Sequence, residues 1–208
     1  MLKMRTEDEK LTDSQLGIVR EMLIPTLEQA AASMASMLRV RMKAELLGFG
    51  DGAFDTIPEF DSLGRFRVHV VKVTLRGQIG GAFYFLINGH EVELINSVAM
   101  PESISPSTNS ENRQMKHGFM TEIENVIAAL SIAEISEFLG VELLGGVPEI
   151  TIMEGDQVNH YLKEEMLNNE TAFFVKSLLT GVAVNISPYF IWMLDENFNT
   201  TLKLNIVS

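Results

Sequence analysis

The sequence predicts an α+β fold: two long antiparallel helices packed on one face of a mixed, mostly antiparallel sheet. Three observations carry this. Two long helical patterns start near residues 13 and 110. Alternating segments between and after them read as strands joined by short turns. A weak internal echo, at an offset of 101, relates residues 20–42 to 121–143 and implies a pseudo-twofold repeat.

The chain has 208 residues and is 46% apolar, enough for one good core and too short for two domains of usual size, so residues 1–208 are read as a single domain. Sixteen basic residues against 28 acidic ones give a net charge of −12. That balance disfavours nucleic acid and anionic lipid as partners, leaving proteins and small molecules. The absence of cysteine excludes a disulfide framework and thiolate metal sites. With no apolar leader at the start and no apolar run long enough to span a bilayer, the expectation is a cytoplasmic protein without membrane insertion.

Residues 1–11 are charged and expected to be flexible. Thr12, Asp13 and Ser14 then offer N-caps for a helix over about 13–46 that ends near "LLGFGDG". Pro25 should kink it, or split it into two helices meeting at Ile24. "RFRVHVVKVTLRG" alternates Phe66, Val68 and Val70 inward against Arg65, Arg67 and His69 outward. It pairs with "QIGGAFYFLIN" in a hairpin around Arg76 and Gly77. "GHEVELINSVA" reads as a short helix and "MPESISPSTNSEN" as a loop. The second long helix spans 110–139 and is stopped by Gly140. "VELLGGVPEITIM" reads as a strand, "GDQVNHYLKEEMLNNE" as a helix, and "TAFFVKSLLTGVAVNI" with "YFIWMLDE" as a closing hairpin.

The echo aligns Glu21 with Glu122, Ala32 with Ala133, Met34 with Ile135, Leu38 with Leu139 and Val40 with Val141, and it places Ile24 opposite Asn125. On the second helix, at 100° per residue, Phe119, Ile123, Val126, Ile127 and Leu130 form the expected buried stripe. Gly118, Glu122, Asn125 and Ala129 fall together on another side. Two polar groups flanked by residues of almost no bulk make a flat face, suited either to solvent or to a close-packed partner.

The spacing Glu122, Asn125 and, 22 residues further on, Pro148 reads Glu-x2-Asn-x22-Pro. It resembles the signature of the CheC, CheX and FliY family of chemotaxis phosphatases, as does the order of elements over residues 12–205. That family is built on an internal repeat of the motif helix, in keeping with the echo. Two departures stand out. The family has Asp or Ser four residues before the glutamate, where this chain has Gly118. The first copy keeps Glu21 but has Ile24 in place of asparagine and lacks the proline, so one site is expected, as in CheX.

The resemblance implies that the substrate is the aspartyl phosphate of a CheY-like response regulator, which supplies its own Mg2+ and lysine. What remains is an attacking water held in line. Asn125 is implied to position it, since a neutral amide holds water without repelling phosphoryl oxygens. Glu122 is implied to pair with the regulator's lysine, and Gly118 and Ala129 to let its backbone approach. No cofactor or metal is implied on this chain, and a homodimer is left open. The competing class keeps the fold but makes it a non-catalytic, CheC-like or flagellar-switch-like binding module that docks a response regulator or a receptor-modifying partner. A third class is an unrelated small-molecule domain, for which no convergent polar pocket is legible. His69, His90, His117 and His160 lack metal-ligand spacing. "GFGDG" at 48–52 reads as a turn, and "GQIGG" at 77–81 as a strand with close backbone approach.

Overall fold

A computed structural model describes residues 10–52, 57, 60, 63–100 and 110–206. The charged stretch 1–9 and most of the loop-like segment after Ala99 lie outside the described residues. Along the chain run α1 (Asp13–Leu38), β1 (Met42–Asp51), β2 (Arg67–Gly77), β3 (Gly81–Asn88), α2 (Gly89–Ala99) and α3 (Ser110–Leu139). They are followed by β4 (Leu143–Gly145), β5 (Glu149–Glu154), α4 (Gly155–Asn168), β6 (Phe173–Gly181), β7 (Tyr189–Leu194) and α5 (Glu196–Ile206). The seven strands form one antiparallel sheet in the order β1-β6-β7-β3-β2-β4, with β5 also on β2.

Helix α1 begins as expected. Thr12 caps it, its side chain accepting from the Gln15 N–H while the Gln15 side chain accepts from the Thr12 N–H. Leu11, expected in the flexible stretch, is buried, and its N–H donates to Asp51 Oδ2 at 2.8 Å. Pro25 does not split the helix, which is continuous from Asp13–Leu38. The acceptor that proline forgoes is the carbonyl of Glu21, on the exposed side where water can replace it.

The helix ends eight residues earlier than the sequence predicts. Arg39 turns left-handed at φ 56, and Met42–Asp51 continues as an edge strand whose Met42, Ala44 and Leu46 are half-buried while Lys43, Glu45 and Leu47 are exposed. The period therefore changes from helical to two within a run of residues that all tolerate helix, and "GFG" at 48–50 lies in a strand rather than a turn.

The sheet is covered on both faces. On one, α1 and α3 pack together over Val71, Val73, Leu75, Phe83, Phe85, Phe173, Val175, Phe190 and Trp192. Ile18, Glu21, Met22 and Pro25 of α1 border the same groove as Glu134, Glu137 and Phe138 of α3, so the helices run antiparallel. On the other face α4 joins Ile57 and Phe60 over Val68, Val70, Tyr84, Leu86, Ile191 and Met193. Strand β2 is therefore sandwiched, which corrects two expectations: Phe66 is 73% exposed, and His69 is half-buried beneath α3. The close approach expected in "GQIGG" is found at Gly81, where φ is +133 and a Cβ would stand 2.1 Å from the Met193 carbonyl oxygen. The closing hairpin β6-β7 is present, but α5 after it was not anticipated. Phe198 and Leu202, one turn apart, anchor α5 in the core.

The repeat is clearer in burial than in residue type. Buried residues of α1 fall at Val19, Met22, Leu23, Thr26, Leu27, Ala30, Ala31, Met34 and Leu38. Those of α3 fall at Met120, Ile123, Glu124, Ile127, Ala128, Ser131, Ile132, Ile135 and Leu139, each 101 positions later. The sheet order reads the same from both ends when β1, β2 and β3 are exchanged with β4/β5, β6 and β7. Each half thus gives its first strand to the other half: β1 pairs with β6, and β4 and β5 pair with β2.

Candidate functional site

The exposed face of α3 is built by the burial of its other side. The inward residues Met120, Ile123, Ile127, Ala128, Ile132 and Ile135 fix the helix rotation. The buried arc is turned from the one expected, because Phe119, Val126 and Leu130 are only half-buried. Gly118, Glu122, Asn125 and Ala129 nevertheless remain together and exposed along about three turns. Neither Glu122 nor Asn125 hydrogen-bonds to another described side chain, so both polar groups are available to a partner. A Cβ at Gly118 would meet nothing within 4 Å, so the face has open space where a side chain could stand.

Pro148 is not on this helix. It lies between β4, which ends its pairing with β2 at Gly145 opposite Leu75, and β5, which resumes at Glu149 opposite Lys72. Gly146 donates to the Thr74 carbonyl at 2.7 Å across the break. Proline has no N–H for the ladder, so it sits where the ladder is interrupted. The expected single strand over 141–153 is therefore two. The equivalent position in the first half is Leu47, and there the pairing of β1 with β6 also slips, between Leu46 and Gly48. Both halves carry the irregularity, so the proline marks a bulge common to them.

On α1, Glu21 and Ile24 are exposed, Ile24 by 41%. Gly17 stands 101 positions before Gly118, and no neighbour lies within 4 Å of a Cβ added there either. The first copy thus keeps the leading glycine but presents an isoleucine side chain where the second presents an amide, and Glu28 where the second has Ala129. Glu21 also borders the groove of about 360 Å³ with Glu134 and Glu137, an acidic seam between the helices.

One residue of the motif helix escaped the sequence reading. Glu124, between Glu122 and Asn125 in sequence, points inward, is fully buried, and neither carboxylate oxygen has a hydrogen-bond partner among the described residues. Burial pushes its pKa well above the ordinary carboxylate range, favouring the neutral acid. The echo held the signal, since its counterpart Leu23 is apolar.

The architecture coincides with solved structures of one kind. Thermotoga maritima FliY superposes with a TM-score of 0.67 at 16% identity, covering 93% of this chain and 96% of that one. The chain has the CheC/CheX/FliY fold. CheX in the CheX-CheY-BeF3-Mg complex of Borrelia burgdorferi has a TM-score of 0.53 at 14% identity, over 83% of this chain and 97% of that one. The FliM middle domain of H. pylori has a TM-score of 0.56 at 10% identity, over 93% and 99%. No family model matches the chain. No curated protein matches it in sequence either. Likeness at this level of identity fixes the architecture, and function has to be argued from the exposed face of α3. No described helix is long and apolar enough to cross a membrane.

Proposed function

We propose that the chain is a chemotaxis-type phosphatase that docks a phosphorylated CheY-like response regulator on the exposed face of α3. The observation that carries this reading is the isolation of Glu122 and Asn125 on a flat face between Gly118 and Ala129, with no hydrogen bond from either to another described side chain. An acyl phosphate held with its own divalent metal needs only an in-line water to hydrolyse. Asn125 holds that water by its amide, adding no negative charge beside the phosphoryl group. Glu122, one turn earlier, pairs with the lysine next to the aspartyl phosphate and fixes the register of the two surfaces. Mg2+ belongs to the regulator in this scheme, and this chain supplies neither metal nor cofactor. The reading places the protein in the cytoplasm, where response regulators act.

The test is release of phosphate from a panel of phosphorylated regulators, with and without the protein and its Asn125→Ala variant. Acceleration that disappears with Asn125→Ala supports the reading. A second reading, a regulator-docking module without turnover, is favoured by Gly118, which leaves bare the position where the family carries Asp or Ser. Tight binding of a phosphorylated regulator with unchanged phosphate lifetime would establish it instead.

A further inference from the structure

A cavity of about 220 Å³ opens between β2, α2 and the first turns of α3. Its polar lining is Arg67, His69, Glu93, Asn96, Lys116 and His117. The side chains come from three elements, which is why no motif announced them. Four of the six are basic, in a chain whose net charge is −12. Lys116 and Glu93 are 3.6 Å apart, and the His69 and His117 rings face each other at 6.1 Å between centroids.

Asn96 is the decisive residue. It is fully buried, it borders the cavity, and both its amide nitrogen and its amide oxygen are without a partner among the described residues. Leaving such a group unpaired is costly, and a core position normally avoids it with an apolar side chain. An amide needs both an acceptor and a donor opposite it. The basic lining needs an anion. One ligand meets both demands: an oxyanion with an adjacent hydroxyl, the anion accepting from Asn96 Nδ2 and the hydroxyl donating to Oδ1. The volume falls below the roughly 300–1,000 Å³ of pockets for drug-sized ligands, so the ligand is small.

We propose that this cavity binds a small hydroxyl-bearing oxyanion, either hydrogen phosphate or a hydroxycarboxylate, through Arg67, Lys116, His117 and Asn96. The site is separate from the face carrying Asn125, which lies eight residues, or about 12 Å of helix rise, beyond His117. His69 is held below its ordinary value by burial first, then by His117 and Arg67, with Glu93 opposing. Among the described residues, Arg67 on its own strand, Glu93 on α2, and Lys116 and His117 on α3 are the charged or titratable groups around it, and β5 contributes the apolar Ile152. An anion in the cavity favours the charged imidazole of His69, so binding takes up a proton there.

The experiment is an NMR titration of the histidine C2 protons of the intact protein, with inorganic phosphate in one arm and malate in the other. His90 and His160, both exposed and outside the cavity lining, are internal references. Saturable shifts of His69 and His117 alone, with affinity rising on the order of tenfold from pH 8 to pH 6, support the site, and the tighter arm names the oxyanion. Arg67→Gln, at an exposed position, should weaken binding by at least about tenfold. Asn96→Asp, nearly isosteric, should weaken it further by adding a negative charge. Absence of saturation below ~10 mM in both arms, equal shifts at all four histidines, or full affinity in Arg67→Gln would overturn the proposal.

Discussion

Leu23 and Glu124 occupy the same place in the two long helices, 101 residues apart and both fully buried. The second copy of the repeat has therefore put a carboxyl where the first keeps a hydrocarbon. Replacing it should stabilise the protein. Glu124→Leu is expected to add about 1–3 kcal/mol at neutral pH by removing an unpaired buried polar group. The pH dependence has a definite sign. The folded-state pKa lies above the unfolded one, so the glutamate costs least below the ordinary carboxyl value, and stability falls as pH rises from there towards the folded-state value. Thermal melts at pH 5 and pH 8 should show the advantage of Glu124→Leu widening at the higher pH. An advantage independent of pH would mean that burial does not raise the Glu124 pKa.

Asn125→Asp is the sharper companion to Asn125→Ala. Alanine should lower regulator dephosphorylation on the order of 10²-fold, roughly 2.7 kcal/mol, with the helix intact, since alanine is the better helix former and the site is exposed. Aspartate should do at least as much damage despite its shape, because it sets a negative charge against the phosphoryl group. A fast Asn125→Asp enzyme, measured by phosphate release, would sink water positioning by a neutral amide.

Glu122→Gln should act on association more than on turnover. Losing one exposed charge pair weakens docking and flattens its dependence on ionic strength. Binding isotherms for the phosphorylated regulator at low and high salt test this. Lost turnover with unchanged binding at both would reassign Glu122 to the chemistry.

Gly118→Ser restores a hydroxyl at the position where the family carries Asp or Ser. There is room for it, as nothing lies within 4 Å of the added Cβ. Helix stability should rise by about 0.5 kcal/mol, and phosphate release should increase. A more stable variant with unchanged or lower release would show that the flat glycine is part of this chain's own docking geometry.

Legibility in the sequence followed how local each feature is. The motif face was readable because a helix alone fixes where Gly118, Glu122, Asn125 and Ala129 point. Most elements were readable from period and turn chemistry, including the stop at Gly140, whose φ is +61. Strand β1 was not, because Met42, Lys43, Ala44, Glu45 and Leu46 are all good helix formers. Only pairing with β6 draws them into a strand. Glu124 was passed over because nothing in its own neighbourhood requires burial. That demand comes from α1 and the sheet. The cavity around Asn96 was invisible for the same reason, its lining being scattered from Arg67 to His117.

The exchange of first strands between the halves bears on how the chain is made. During synthesis β1 is complete long before β6, its partner strand in the sheet, leaves the ribosome about 130 residues later. At ordinary elongation rates that is on the order of ten seconds. Through that interval the nascent first half holds an unfinished edge and an uncovered α1. Until then the backbone groups of that edge are paired by water, and the edge is a template for the matching strand of another nascent chain.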